Sequence, residues 1–319
     1  MKLIHHVTTE IRAVRRETDR VVIYELADPD DWDLPPFTPG AHLDVFLDDK
    51  TVRQYSLCGS ARETKRYRIA VLAETDGRGG SLAIHGGWKK GDIVPVSIPR
   101  NNFPLDPDAP RHVFIAGGIG ITPFVPMMDA VVAEGGEFRL HYATRTPRET
   151  PFRNVLETEP YRRHITFHHS RSDPATRLDI PALLQHLSAD DAIYVCGPKG
   201  LIEEVLQHSR AAGFVNVRAE QFTPDERIVP RGEAAYTVEL ARSGRTVEVL
   251  PGQSMIEAIR AAGVEIDSSC QAGVCTSCKT RYLAGAPIHR DLVMSPEDRR
   301  EFVTPCVSSV AGTHLVLDL

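Results

Sequence analysis

The sequence predicts a multidomain fold in which a small antiparallel β-barrel, an α/β unit on a parallel sheet and a compact α+β unit follow one another along 319 residues. Three observations predict it. Before Arg111 the chain reads as short strands and turns with almost no helix. From His112 to Phe222 short apolar strands alternate with helical stretches, and beyond them four of the six cysteines crowd the last fifty residues. A chain of this length exceeds one ordinary core, so separate sites on separate folds are expected.

Six segments make the barrel: 8–15, 20–26, 42–46, 52–57, 67–73 and 93–98. Short strands with turn residues between them suit an antiparallel sheet closed on itself. Two features interrupt the pattern. Arg53, Tyr55 and Ser56 place a cation, a phenol and a hydroxyl on one strand. Gly77, Arg78, Gly79, Gly80 and Ser81 precede a short helical stretch at 82–85, and the unpaired N–H groups of a helix N-terminus suit a phosphate. On these residues alone, a polar strand and an ordinary turn are the simpler reading.

The middle segment carries strands at 112–116, 137–143, 164–169, 192–196 and 215–222, the alternation of a parallel sheet with covering helices. The first strand runs into Gly117, Gly118, Ile119, Gly120, Ile121, Thr122 and Pro123 and then into a helix. Glycines there let the backbone approach a ligand, and the following N-terminus suits a pyrophosphate. The run does not match G-x-G-x-x-G, and the second strand ends in Ala143, Thr144 and Arg145 without an acidic residue for a ribose. A simple Rossmann dehydrogenase is therefore disfavoured. A tight strand-to-helix turn would explain the glycines by themselves. Strand 192–196, however, also ends in a turn, at Cys196, Gly197 and Pro198. Two strand ends then converge on the side of the sheet where ligands bind in such folds.

Cys270, Cys275, Cys278 and Cys306 read C-x4-C-x2-C with the fourth after a further 27 residues, the plant-type 2Fe-2S spacing. Three thiolates from one tight loop and a fourth from a distant segment complete tetrahedral sulfur around each iron. The loop is built of small residues, among them Ser268, Ser269, Ala272 and Gly273. A structural zinc site would bring two paired knuckles, and a dithiol at Cys275 and Cys278 would leave Cys270 and Cys306 unused. Around the cysteines, 236–240 and 246–250 alternate like strands about Ser243 and Gly244. Ser254 and Glu257 make a capping box, Gly263 stands where that helix would stop, and 306–319 reads as a closing strand. The segment is a β-grasp, plant-type ferredoxin domain. A one-electron cluster cannot take hydride, so a flavin upstream is expected to split a two-electron donor.

Composition bounds the partners. With 42% hydrophobic and 25% charged residues and a net charge of -6, the chain is globular and has no electrostatic footprint for nucleic acid. No apolar run approaches the roughly 18 to 20 residues that span a bilayer, and residues 1–20 lack the apolar core of a signal peptide. No membrane contact and a cytoplasmic location are expected, where the cysteines would not pair as disulfides. None of the thirteen histidines stands out as a ligand, and His168 and His169 read as a strand end.

Taken together and in this order, Arg53-x-Tyr55-Ser56, the glycine turn at 77–81, the run at 117–123, Cys196-Gly197-Pro198 and the four C-terminal cysteines resemble the phthalate dioxygenase reductase family, which includes vanillate O-demethylase reductases. The segment 100–105, His289-Arg290-Asp291 and the terminal 315–319 extend the resemblance over the whole chain. It implies a flavin-binding barrel at 1–108, a nucleotide-binding domain at 109–226, a linker at 227–233 and a ferredoxin domain at 234–319. Arg53, Tyr55 and Ser56 are implied to line the flavin, with Tyr55 against the ring and Ser56 near N5. Gly79, Gly80 and Ser81 would hold its phosphate, and the resemblance implies FMN over FAD. Gly117, Gly118, Gly120, Gly197 and Pro198 would hold the nicotinamide nucleotide, with Thr122 and Cys196 near the reacting ring. Phe222 resembles an aromatic cover for the flavin, which makes Ser56, Thr122, Cys196 and Phe222 the expected catalytic positions. NADH is the expected donor, although Ser170 and Arg171 are residue types that hold a 2′-phosphate and keep NADPH in view. The sequence departs from the family pattern at Thr276, where many relatives carry glycine, and at Gln221-Phe222-Thr223, where Ser-Phe-Gly is common.

The implied function is a monomeric reductase that passes hydride from NADH to FMN and single electrons through the cluster to a Rieske-type terminal oxygenase. Two alternatives stand beside it: a reductase for a haem or diiron monooxygenase, and a ferredoxin-type carrier without NADH oxidation of its own. The chain is not the oxygenase itself, because no Cys-x-His pair exists for a Rieske centre.

Overall fold

The computed structural model describes residues 6–47, 51–75, 79–172, 174–222, 234–268, 273, 276–291 and 294–319. The expected linker at 227–233 lies outside them. The chain divides into two compact units, Met1–Ala219 and Glu220–Leu319.

The first unit opens with β1 (His6–Arg16), β2 (Val21–Ala27), β3 (His42–Phe46), β4 (Val52–Ser56), β5 (Arg66–Leu72) and β6 (Ile93–Ser97). They form one antiparallel sheet in the order β4-β3-β6-β1-β2-β5. A bridge between Leu57 and Ile69 joins its two edges, so the sheet closes as the run of short strands and turns predicts. Tyr24, Leu26, Leu43, Val45, Ile69 and Val96 fill the interior, and Ile84 of the short helix α1 (Gly80–Gly87) joins them.

The same unit continues with β7 (Arg111–Gly117), α2 (Phe124–Ala133), β8 (Glu137–Thr144), α3 (Arg153–Leu156), β9 (Ile165–His169), α4 (Ile180–Leu184), β10 (Ala192–Cys196), α5 (Lys199–Ala211) and β11 (Val217–Glu220). The sheet order is β11-β10-β7-β8-β9, with β10, β7, β8 and β9 parallel. Consecutive residues of a strand face opposite sides. Val113, Ile115, Ile193 and Val195 therefore pack against α4 and α5 on one face. On the other face Phe114, Ala116, Tyr194 and Cys196 share a single hydrophobic cluster with Met127 and Met128 of α2 and with Val21, Ile23, Cys58 and Ala70 of the barrel. The barrel and the parallel sheet are thus halves of one core. Polar contacts reinforce the seam. Phe152, held at φ 59, donates its N–H to Glu17 Oε1 at 2.8 Å, and Arg148 pairs with Asp19 at 3.0 Å.

The second unit contains β12 (Tyr236–Leu240), β13 (Arg245–Val249), α6 (Met255–Ala261), β14 (Thr280–Ile288), β15 (Phe302–Val303) and β16 (Ser309–Leu317) in the order β13-β12-β16-β14-β15. β12 and β16 run parallel and the other pairs antiparallel. The capping box of α6 is complete: Ser254 Oγ accepts from Glu257 N, and Glu257 Oε2 accepts from Ser254 N. Val238, Leu240, Val249, Ile259, Leu315 and Leu317 are the core that the helix covers. β14 has no counterpart among the strands expected from sequence. Gly285 and Pro287 interrupt its pattern, and both fall at breaks in its register with β16.

Candidate functional site

The candidate residues fall into three groups, two in the first unit and one in the second. In the barrel, β3 and β4 pair His42 with Ser56, Leu43 with Tyr55 and Val45 with Arg53. The strand period puts Arg53 and Tyr55 on one face. The Arg53 side chain runs to the start of α1, where a Cβ on Gly80 would stand 2.6 Å from Arg53 Nε and 2.9 Å from its Cγ. Gly79 caps the helix at φ 78, a conformation a side chain would strain, and no acidic residue occupies the first turn. Ser81 Oγ accepts from Glu74 N at 3.1 Å and so ties the helix start to the end of β5. A guanidinium beside bare helix N–H groups suits a dianionic phosphate, which is the charge that FMN would bring. Burial pushes the Tyr55 phenol well above its usual range, against the opposing pull of Arg53, so the ring stays neutral. Ser56 is buried. Gly77 and Arg78 lie outside the described residues.

The second group sits where β7 and β10 end side by side. Chain order in the sheet reverses between these two strands, and such a switch point leaves a crevice at the carboxyl ends. The crevice is floored by glycine. A Cβ on Gly120 would lie 2.3 Å from the Cys196 carbonyl oxygen, one on Gly197 2.8 Å from Gly117 Cα, and one on Gly117 2.5 Å from Pro198 Cδ. Two main chains touch here with no room for a methyl between them, and that brings backbone to the surface a dinucleotide would need. The expected helix N-terminus does not follow the strand directly. Residues Gly118–Ile121 make a turn of 3-10 helix first, and α2 starts at Phe124. Thr122 is buried, and its hydroxyl donates to the Ile119 carbonyl at 3.0 Å. Tyr142, which sequence reasoning passed over, donates its hydroxyl to the Gly118 carbonyl at 2.9 Å and props this turn from β8. Its only sequence signal is an inward position on an alternating strand. Arg145 and Arg171 are also neighbours, since Arg171 N donates to the Arg145 carbonyl at 2.8 Å.

In the second unit Cys278 and Cys306 are buried with their sulfurs 3.2 Å apart, close enough to share one metal centre. Cys270 and Cys275 lie outside the described residues. Gly273, between them in sequence, sits at φ 71, and a Cβ there would stand 2.9 Å from Val307 Cγ2 and 3.1 Å from Asp291 Cα. Gly273 is therefore pressed against the segment of the fourth cysteine. Thr276 adopts φ 54, which a β-branched residue resists, and this explains why glycine suits the position. The paired sulfurs of Cys278 and Cys306 and the left-handed backbone at Gly273 and Thr276 fit a 2Fe-2S cluster. Phe222 follows β11 and is 40% exposed. No helix among the described residues is long and apolar enough to cross a membrane.

Comparison with known proteins places the chain in a lineage. A 2Fe-2S iron-sulfur cluster binding domain matches residues 238–311, and an oxidoreductase NAD-binding domain matches 114–207. The chain is 38% identical over 307 residues to the phthalate dioxygenase reductase of Burkholderia cepacia, covering 93% of this chain and 92% of that one. A solved phthalate dioxygenase reductase, described as a modular structure for electron transfer from pyridine nucleotides to [2Fe-2S], superposes with a TM-score of 0.72 at 36% identity over 98% of both chains. An intact type IV self-sufficient cytochrome P450 monooxygenase gives 0.83 at 32% identity over 98% of this chain, which spans 41% of that longer protein.

Proposed function

We propose that this chain, which belongs to the phthalate dioxygenase reductase family, is the reductase component that serves a Rieske-type terminal oxygenase. As a member of that family it is an NADH-dependent flavin and iron–sulfur oxidoreductase, with NAD-binding and 2Fe-2S domains on one chain. The observation that carries the Rieske reading is the match over 98% of both chains to a reductase whose named partner is a dioxygenase.

FMN, when bound, converts a hydride donor into a source of single electrons for the cluster. In our reading Arg53 and the start of α1 neutralise its phosphate at Gly79, Gly80 and Ser81, while the neutral Tyr55 ring and Ser56 present a stacking face and a hydroxyl. The crevice between β7 and β10 takes the nucleotide, with Gly117, Gly118, Gly120, Gly197 and Pro198 as its floor. Thr122 and Cys196 shape the end nearest the nicotinamide, Thr122 by fixing its turn and Cys196 by staying small. Phe222 is the cover. Cys270, Cys275, Cys278 and Cys306 hold the cluster, and the domain limits 108, 226 and 233 mark the three modules and their linker.

A haem oxygenase is the second reading, favoured by the P450 match over 98% of this chain. Anaerobic titration with NADH, then mixing with a purified Rieske oxygenase or a purified haem monooxygenase, decides between them. Bleaching of flavin and cluster bands followed by reduction of the Rieske centre is expected. Reduction of the haem protein alone would reverse the partner, and a chain unable to pass electrons from NADH to cytochrome c would be a carrier.

A further inference from the structure

Beside the cysteine loop of the second unit, buried polar groups concentrate. Asp291 has a side chain with no exposed surface. Its Oδ2 accepts from Met294 N at 2.9 Å and from Arg299 Nη2 at 3.0 Å, and Arg299 also donates to the Asp291 carbonyl at 2.7 Å. Asp291 Oδ1, Arg299 Nε and His289 Nδ1 are buried without a hydrogen-bond partner among the described residues, the last 3.9 Å from Oδ1. The same Asp291 backbone lies against Gly273 on the cysteine loop, and Val307, next to Cys306, lies against it too. An ion pair whose carboxylate is fully buried is a poor way to gain stability, because desolvation offsets the attraction. It does put a carboxylate that water does not reach on the residue that packs against Gly273, with the half-buried Arg299 guanidinium paired to it.

We propose that Asp291 and Arg299 are positioning residues of the iron–sulfur centre which together set its midpoint potential, the carboxylate holding it down and the guanidinium holding it up. Net charge near the sulfurs is one of the levers on such a cluster. A nearby negative charge opposes the arrival of an electron and a nearby positive charge favours it. This inference rests on the assignment of Cys270, Cys275, Cys278 and Cys306 as ligands.

Redox titration of the full-length holoprotein, read by the EPR signal of the reduced cluster, tests it in Asp291→Asn, Arg299→Gln, Arg299→Lys and the Asp291→Asn/Arg299→Gln double variant. Asn keeps an acceptor oxygen for Met294 N and Arg299 Nη2 while removing the charge. The expected result is a rise for Asp291→Asn and a fall for Arg299→Gln, each about tenfold in the equilibrium for electron uptake, which is 59 mV for a one-electron couple. Arg299→Lys should stay near the parent, and so should the double variant. Shifts of the same sign in the two charge-removing variants, or none in proteins that keep their cluster, would overturn the proposal. Should Asp291→Asn fail to hold a cluster, Arg299→Gln against Arg299→Lys decides: a fall in the first alone supports it, and equal potentials overturn it. A parent protein without the EPR signal of a reduced cluster would instead bring down the ligand assignment.

Discussion

The barrel site and the strand-end site both rely on glycine, but for different reasons. At Gly79 the requirement is angular: φ is 78, and no other described residue comes within 4 Å of the place a methyl would take. At Gly120 it is spatial: the methyl would stand 2.3 Å from a carbonyl oxygen of the neighbouring strand. Gly80 lies between these cases, because what it would strike is the Arg53 side chain, which can swing aside. One site is thus an open cradle lined by a movable cation, and the other is a contact between two main chains. Damage to the first should loosen a ligand, whereas damage to the second should strain the fold as well.

The sharpest break in that comparison is Gly120→Ala. It forces apart β7 and β10, and overpacking of this kind destabilises by about 3 kcal/mol. Both the melting temperature and reduction by NADH should fall, and a variant with unchanged melting would show that the strand ends yield. Acid should separate the two sites next. His42, cross-strand from Ser56, is pushed down to about 4, by burial first and by Arg100 second, with Asp44 opposing. The folded form refuses a proton that the unfolded chain takes up near 6.5, so stability contributed by neutral His42 is full above that value. It drains as pH falls from about 6.5 towards 4, by up to about 3 kcal/mol. Flavin release should therefore rise in this window, and His42→Asn should flatten it in fluorescence assays of free flavin. Gly80→Ala comes third. Displacing Arg53 should weaken flavin retention about tenfold, or about 1.4 kcal/mol, with melting of the flavin-free protein nearly unchanged. Gly79→Ala is the smallest, about 1 kcal/mol of backbone strain, seen in chemical denaturation and unrelieved by any repacking.

Much of this was legible because the signals were local. Short apolar runs at 20–26 and 67–73 between turn residues announce strands, and Ser254 with Glu257 announces a helix start that the fold reproduces atom by atom. The glycine run after β7 reads as a turn, yet nothing in it says that Gly120 leans on Cys196. That contact depends on parallel pairing between strands almost eighty residues apart. β14 escaped for the opposite reason, since its glycine and proline are turn signals used here to bend a strand. Tyr142 and Asp291 act through distant neighbours, and residue type alone cannot reveal a partner. Thr276 was visible only as a departure from its family, and its φ of 54 supplies the physical meaning.

The shared cluster of Val21, Ile23, Cys58 and Ala70 with Phe114, Tyr194 and Cys196 has a bearing on recombination. A chimaera spliced at residue 108 would join two half-cores from different parents, each shaped to a surface it no longer meets, and Glu17 would lose the Phe152 amide chosen for it. The second compact unit begins at Glu220 and has a hydrophobic core of its own. Shuffling among homologues should therefore trade the barrel and parallel sheet as one inherited cassette, with the iron–sulfur module as the exchangeable piece.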